Sequence, residues 1–199
     1  MDDGWRVARD TSMRAFIALE IPSAVRGVVS RSIAELRPRL PGARWVTAEG
    51  YHLTLQFLGE IEDALISVLG EQLGPVFEGH GRFSVQLGAG GTFPRGGVAR
   101  IAWIGIEDPG PVVELAQDVQ AKCTALDVQQ EKRSFMPHLT VARCRRPWPR
   151  SAVADWEAAF CRPIGSPFTV TRGVLMSNRI RRDGARYDVV ADYPLGTTL

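Results

Sequence analysis

The chain has 199 residues, of which 45% are hydrophobic and 23% are charged, and its formal net charge is +2. A chain of this size and composition buries a core without disulfides or metals, and the small net charge gives no global positive field for long nucleic acids. No stretch approaches the roughly 18 apolar residues of a membrane span. The three cysteines, Cys123, Cys144 and Cys161, form no Cys-x-x-Cys pair. These features and the acidic start, which lacks an apolar signal region, predict a cytoplasmic protein.

Alternating strand and helix patterns begin at Met13, and residues 1–12 lack periodicity. We therefore expect a flexible leader at 1–12 and a single domain at 13–199. The predicted elements are, in order, a strand at 13–21, a helix at 23–36 with Ser23 as its N-cap, strands at 44–46 and 52–58, a helix at 62–77, a strand at 82–87, loops at 88–91 and 94–97, a strand at 98–106, a helix at 111–126, a strand at 138–143, a helix at 151–160, and strands at 168–177 and 186–193.

Helices separated by strand pairs are typical of an α+β protein. The second half of the pattern roughly repeats the first, and no Gly-, Ser- or Pro-rich linker divides them. The order therefore predicts two lobes, related by a pseudo-two-fold axis, with a cleft between them.

The tripeptide His-Leu-Thr occurs twice, at 52–54 and at 138–140, and each copy lies in a predicted strand. Side chains alternate between the two faces of a strand. Each histidine therefore shares a face with its threonine, whereas the leucines point into a core. Two such faces in one cleft supply an acid, a base and two neutral hydrogen-bond donors, which suits chemistry at a phosphate. His80 lies in a glycine-flanked turn and is interpreted as a surface residue.

Three further residues are candidates for substrate binding. Arg143 is suited to a bidentate grip on a phosphate, but strict alternation places it on the face opposite His138, so this role needs a strand irregularity or a long reach. Phe57 is suited to stacking on a nucleobase, but alternation places it with the core leucines, and core packing is the favoured interpretation. Arg95, in a Gly-rich loop, is a candidate contact to an RNA chain. Trp45 and Trp103 are expected in the core.

The chain resembles the two-histidine phosphoesterase superfamily and, within it, the RNA 2',3'-cyclic phosphodiesterases, also called 2'-5' RNA ligases. Both His-Leu-Thr motifs carry the resemblance, together with the segments at 13–19, 45–46, 55–59, 93–95, 103–105, 135–137, 141–143 and 184–187. The chain departs from the family pattern at Met136, where the family often has a basic residue, and at Gly50-Tyr51, where Asn-Leu is commoner. Neither departure removes a catalytic group.

The resemblance implies a bilobal fold of two antiparallel sheets with outer helices around a central cleft. It also implies hydrolysis of a terminal RNA 2',3'-cyclic phosphate to a 2'-phosphate, with His52 as acid, His138 as base, and Thr54 and Thr140 bound to phosphate oxygens. This scheme needs no metal or other cofactor, and its reversal is 2'-5' ligation. The expected partners are RNA ends or nucleotides with a 2',3'-cyclic phosphate, without a membrane, and the expected state is a monomer.

Two alternatives stay open from the sequence. One is a non-catalytic module of the same fold that binds a nucleotide or an RNA end. The other is a two-histidine phosphodiesterase that acts on an ADP-ribose cyclic phosphate or on 2'-5' oligonucleotides, because these reactions use the same four residues.

Overall fold

The structure is a computed structural model that describes residues 13–40, 42–95, 98–129, 134–181 and 184–197. The strands are β1 (Met13–Glu20), β2 (Ala43–Trp45), β3 (His52–Ile61), β4 (Phe83–Phe93), β5 (Ala99–Ile106), β6 (Leu139–Trp148), β7 (Ile164–Val170), β8 (Arg172–Arg181) and β9 (Gly184–Pro194). The α-helices are α1 (Ser23–Leu36), α2 (Asp63–Glu78), α3 (Gly110–Ala125) and α4 (Arg150–Ala159). Short 3₁₀ turns lie at Arg37–Arg39 and Ala48–Gly50.

All these strands join one antiparallel sheet in the order β7-β4-β5-β6-β3-β1-β8-β9, with β2 paired to β6. We call β3, β1, β8 and β9 the first lobe, and β6, β5, β4 and β7 with β2 the second lobe. The two lobes meet through the pairing of Leu53 with Leu139. The α+β class and the bilobal antiparallel architecture are therefore confirmed, and the two predicted sheets are continuous at this one contact.

The path β1-α1-β3-α2 in the first part of the chain recurs as β5-α3-β6-α4 in the second. Each path leads to one of the two strands at the junction of the lobes, β3 or β6, and a His-Leu-Thr motif lies at the start of each strand. The last two strands, β8 and β9, return to the first lobe beside β1. Only Thr171 separates β7 from β8, although these strands lie near opposite ends of the strand order, so the sheet must curl into a half-barrel.

The helices cover one surface of this curled sheet. The α1 helix packs against β7, α3 against β3, and α4 against β4, while α2 contacts α3 and β9. The buried side of α1 carries Val25, Val29, Ile33 and Leu36, as its periodicity predicts. Burying an aliphatic side chain of this kind contributes about 1.5–3 kcal/mol to the free energy of folding. The apolar helix faces therefore hold the helices against one surface of the sheet, and the cleft lies on the other surface.

Several predicted boundaries are wrong. The strands predicted at 52–58 and 138–143 continue to Ile61 and Trp148. The helix N-cap is Pro22, not Ser23, and Ser23 is the first helical residue. The predicted strand at 168–177 is two strands, β7 and β8, which pair in different lobes. The predicted loop at 88–91 belongs to β4, where the missing side chains make room for Trp156 and Phe160 over Gly90 and for Trp103 over Gly91.

The predicted leader at 1–12 lies outside the described residues. So does Asp183, the first residue of the Asp183-Gly184 pair that predicts a hairpin turn between the last two strands. None of the helices in the described ranges combines the length and the apolarity that crossing a membrane requires.

Gly91 matters for the cleft because it pairs with Trp103, whose indole lies 6.2 Å from the His138 ring. A Cβ at Gly91 would overlap that indole, whereas a Cβ at Gly70 in α2 would meet open space. We expect Gly91→Ala to lower the free energy of unfolding by about 1–3 kcal/mol through overpacking. Gly70→Ala should raise it by up to about 1 kcal/mol through helix propensity. Urea titrations that give both variants the same sign would contradict this account of β4.

Candidate active site

The motif strands β3 and β6 form the floor of a cleft of about 600 Å³. His52 and Thr54 line it from the first lobe, and His138 and Thr140 line it from the second. Between them, Leu53 and Leu139 point away from the cleft and are 0% exposed. The structure thus brings together the four side chains that the two motifs predict, and strand alternation accounts for their shared direction.

His52 lies among aromatic rings. The Phe16 ring is 4.6 Å from its imidazole, and the Tyr187 ring is 5.2 Å away in an edge-on arrangement. Its Nδ1 atom is buried and has no hydrogen-bond partner within standard limits among the described residues. Burial in this apolar site lowers the pKa of His52 to about 4. A hydrogen bond to the Gly50 backbone opposes this shift, and the charges of Arg143 and His138 add smaller downward effects. His52 is therefore neutral at pH 7 in the free protein.

His138 lies in a different environment. Its Nδ1 is 2.8 Å from the carbonyl oxygen of Met136, which assigns the proton to Nδ1 and leaves the lone pair of the neutral ring on Nε2. The Phe93 ring packs edge-on at 5.1 Å. The surroundings of the two histidines therefore differ, because Nδ1 of His138 lies within hydrogen-bond distance of a backbone carbonyl, whereas burial among aromatic rings favours the neutral form of His52.

Arg143 lines the same cleft as His138 and Thr140, although strict alternation predicts the opposite. The reason is a bulge in β6. Ala102 pairs with Ala142 but Trp103 pairs with Thr140, so Val141 has no partner in β5. Two successive residues, Val141 and Ala142, are buried, and the strand resumes with Arg143 on the cleft side. This bulge is the irregularity that the sequence analysis required.

Phe57 reaches the cleft in the same way, and the expectation that it packs in the core is wrong. In the pairing with β1, Ile17 lies opposite Gln56 and Ala18 lies opposite Thr54, so Leu55 is skipped. Leu55 and Gln56 are both buried, and Phe57 emerges on the cleft face with 56% of its surface exposed. The Phe57 ring lies 6.1 Å from the ring of Phe16, which in turn packs against His52.

Arg95 is absent from the residues that line the cleft. Its guanidinium lies over Trp103 at 5.9 Å, and Nη2 is 2.9 Å from the sulfur of Met136. Arg95 therefore packs against Trp103 and Met136, outside the lining of the cleft. A contact from Arg95 to RNA stays a prediction. Trp103 is 9% exposed, as expected of a core residue, whereas Trp45 is half-buried and lines the cleft.

Several cleft residues were not identified from the sequence. They are Arg14 on β1, Arg44 on β2, Phe16 on β1, Asn178 on β8 and Tyr187 on β9. The signal for Phe16 and Arg14 was their alternation in β1, but residues from four separate strands cannot be assembled without the sheet order. Arg44 pairs directly with Arg143 across β2 and β6. Among the described lining residues there are three arginines and no carboxylate, so the cleft favours an anion.

Within the described ranges, no three or more His, Cys, Asp or Glu side chains come together as a set of ligands.

Comparison with known proteins agrees with this geometry. A family model described as the 2'-5' RNA ligase superfamily matches residues 25–180. The chain is 32% identical over 181 residues to the RNA 2',3'-cyclic phosphodiesterase of Geobacillus stearothermophilus. The aligned region covers 90% of this chain and 56% of that protein. It is 33% identical over 133 residues to the protein of the same name from Thermotoga maritima, and this aligned region covers 67% of this chain and 71% of the relative.

A solved structure shows the same fold. The crystal structure of Escherichia coli LigT complexed with 3'-AMP matches with a TM-score of 0.75 and 25% identity, over 92% of this chain and 98% of that one. The match of the family model over most of the chain and the similarity to relatives and to this structure lead to one conclusion. The chain belongs to the 2'-5' RNA ligase superfamily, a group of two-histidine phosphoesterases.

Proposed function

We propose that this protein hydrolyses terminal 2',3'-cyclic phosphates of RNA to 2'-phosphates by acid–base catalysis with two histidines. The observation that supports this most directly is the pair of His-Leu-Thr faces that line one cleft from opposite lobes. Relatives that are named RNA 2',3'-cyclic phosphodiesterases support the same substrate class. If a 5'-hydroxyl takes the place of water, it attacks the cyclic phosphate, the bond to the 3'-oxygen breaks and that oxygen is protonated, which leaves a 2'-5' phosphodiester. The same acid–base groups therefore suffice for 2'-5' ligation.

The reaction needs a water molecule in line with the departing ribose oxygen. In our proposal His138 removes a proton from this water through Nε2, while His52 donates a proton to the leaving oxygen. Thr54 and Thr140 donate hydrogen bonds to the non-bridging phosphate oxygens and stabilise the charge that develops there. Arg143, on the His138 side, adds a cationic donor that matches a phosphate in geometry.

The acid role of His52 has an electrostatic condition. In the free protein its pKa of about 4 keeps the ring neutral, and a neutral imidazole has no proton to give at Nε2 if Nδ1 holds it. A phosphodiester in the cleft places a negative charge beside this ring and favours the imidazolium. Binding of the substrate therefore takes up a proton at His52, and the aromatic site suppresses protonation until the anion arrives.

The remaining cleft residues suit the nucleoside part of an RNA end. We propose that the exposed ring of Phe57 stacks on the terminal base, and that Arg14 and Arg44 favour an anionic chain at the cleft. The cleft lies within one chain, and a monomer is sufficient for this scheme.

The first test is turnover of an RNA oligomer that ends in a 2',3'-cyclic phosphate. We expect His52→Ala and His138→Ala each to reduce the rate by roughly 10²- to 10⁴-fold, because each removes one proton-transfer group. His80→Ala is the matched control, since His80 lies on another surface and pairs with Asp118. Circular dichroism would show that the variants fold.

Product analysis in the same experiment distinguishes the alternatives. A 2'-phosphate end is the expected product. A folded wild type that binds this RNA without opening the ring would favour a binding module. Opening of an ADP-ribose cyclic phosphate or cleavage of a 2'-5' oligonucleotide, in preference to this RNA, would favour the other two-histidine reactions.

The second test is a nuclear magnetic resonance titration of the histidine rings. We expect the pKa of His52 to be about 4 in the free protein and to rise when a nucleoside 2'-phosphate binds, because the added negative charge stabilises the imidazolium. A bound-state pKa that stays near 4 would contradict the acid role of His52 and favour His52 as the base.

The third test concerns metal ions. The proposed scheme uses protein groups alone, so we expect wild-type turnover to be unchanged in excess EDTA. Abolition by EDTA with recovery on addition of a divalent cation would refute the proposed mechanism.

A further inference from the structure

The bulge in β3 is held by two glutamine side chains outside the cleft. Skipping Leu55 in the β1 pairing leaves its backbone carbonyl without a partner in that strand. The side-chain amide of Gln120, from α3, donates to this carbonyl at 2.9 Å. Gln56, the second residue of the bulge, is 4% exposed, and its amide donates to the carbonyl of Phe57 at 2.8 Å.

The same amide of Gln56 also lies 3.3 Å from the carbonyl of Gln129. An amide nitrogen has two hydrogens, and both are therefore used. One fixes the backbone at Phe57, and the other ties the first motif strand to the segment that leads towards the second motif. A buried amide whose two N–H groups both donate to backbone carbonyls stabilises the backbone conformation of the bulge, which the regular hydrogen bonds between strands do not stabilise.

The bulge in β6 achieves the same result by other means. There the carbonyl of the skipped residue, Val141, accepts a hydrogen bond from the backbone N–H of Val46 at 2.9 Å. The second lobe thus stabilises its bulge with the backbone that follows β2, whereas the first lobe uses glutamine side chains. Substitution can therefore test the first bulge and leave the second unchanged.

We propose that Gln56 and Gln120 are positioning residues that hold the β3 bulge and thereby keep Phe57 on the cleft face, where it receives the terminal base of the substrate. This inference rests on the proposed function, because it assigns Phe57 to the nucleoside part of an RNA end. Without the bulge, regular alternation returns Phe57 to the core face beside Leu53. The two glutamines act on the base through Phe57 and contact neither the phosphate nor the reacting atoms.

The experiment compares two substrates for each variant. One is a dinucleotide that ends in a 2',3'-cyclic phosphate, and the other is methyl riboside 2,3-cyclic phosphate, which has no base. We expect Phe57→Ala, Gln56→Leu and Gln120→Leu each to raise the KM for the dinucleotide roughly tenfold, the size of one lost base stack, with little change in kcat. The KM for the base-free substrate should stay unchanged.

Gln86→Leu is the matched control. Gln86 also donates to the carbonyl of the following residue, Leu87, and to a distant one, Ile164, but it lies in β4 and is not among the cleft residues. We expect this variant to lose stability without any change in KM for either substrate. Adding Gln56→Leu to Phe57→Ala should give no further rise in KM, because both act through one ring.

Different results overturn different steps. If Phe57→Ala raises the KM for the dinucleotide but neither glutamine variant does, the glutamines are structural only and the inference is wrong, while the proposed function stands. If Phe57→Ala has no effect, the base platform is wrong and the inference is wrong with it. If Gln56→Leu does not fold, Gln120→Leu decides, since that side chain is half-buried on the surface of α3. A folded wild type without turnover refutes the proposed function itself.

Discussion

The pairing of Leu53 with Leu139 is the contact on which the cleft depends. These are the central residues of the two His-Leu-Thr motifs, and they join the two lobes of the sheet. Because both leucines point into the core and are fully buried, their neighbours in sequence must point to the opposite surface. One apolar contact between strands thus places two histidines and two threonines on a common face, and the hydrophobic core fixes their spacing.

The bulges after each motif extend this face. In both strands the residue skipped in the pairing is the third after the histidine. The fifth residue after each histidine therefore lies on the same face as that histidine, although strict alternation would place it on the opposite face. They add a cationic side chain, Arg143, to the second lobe and an aromatic one, Phe57, to the first. A pseudo-symmetric frame therefore presents an asymmetric pair of contacts, which suits a substrate with a phosphate at one end and a base at the other.

The two histidines are made unequal by what surrounds them rather than by the motif. His52 is buried among aromatic rings, so its neutral form is favoured. His138 donates from Nδ1 to a backbone carbonyl, which settles its tautomer. Identical tripeptides therefore place their histidines in different surroundings, and the free energy of protonation depends on burial and nearby charge.

The sequence by itself determined the α+β class, the helix faces and the four motif residues, because these follow from local periodicity and from a repeated tripeptide. It did not determine the positions of Phe57 and Arg143, since strict alternation predicts the wrong face for both. Nor did it identify Phe16, Asn178 and Tyr187, which only the strand order brings to the cleft that His52 lines. Bulges and strand order depend on hydrogen bonds between backbone carbonyls and groups that are distant in sequence. These hydrogen bonds form only in the tertiary structure.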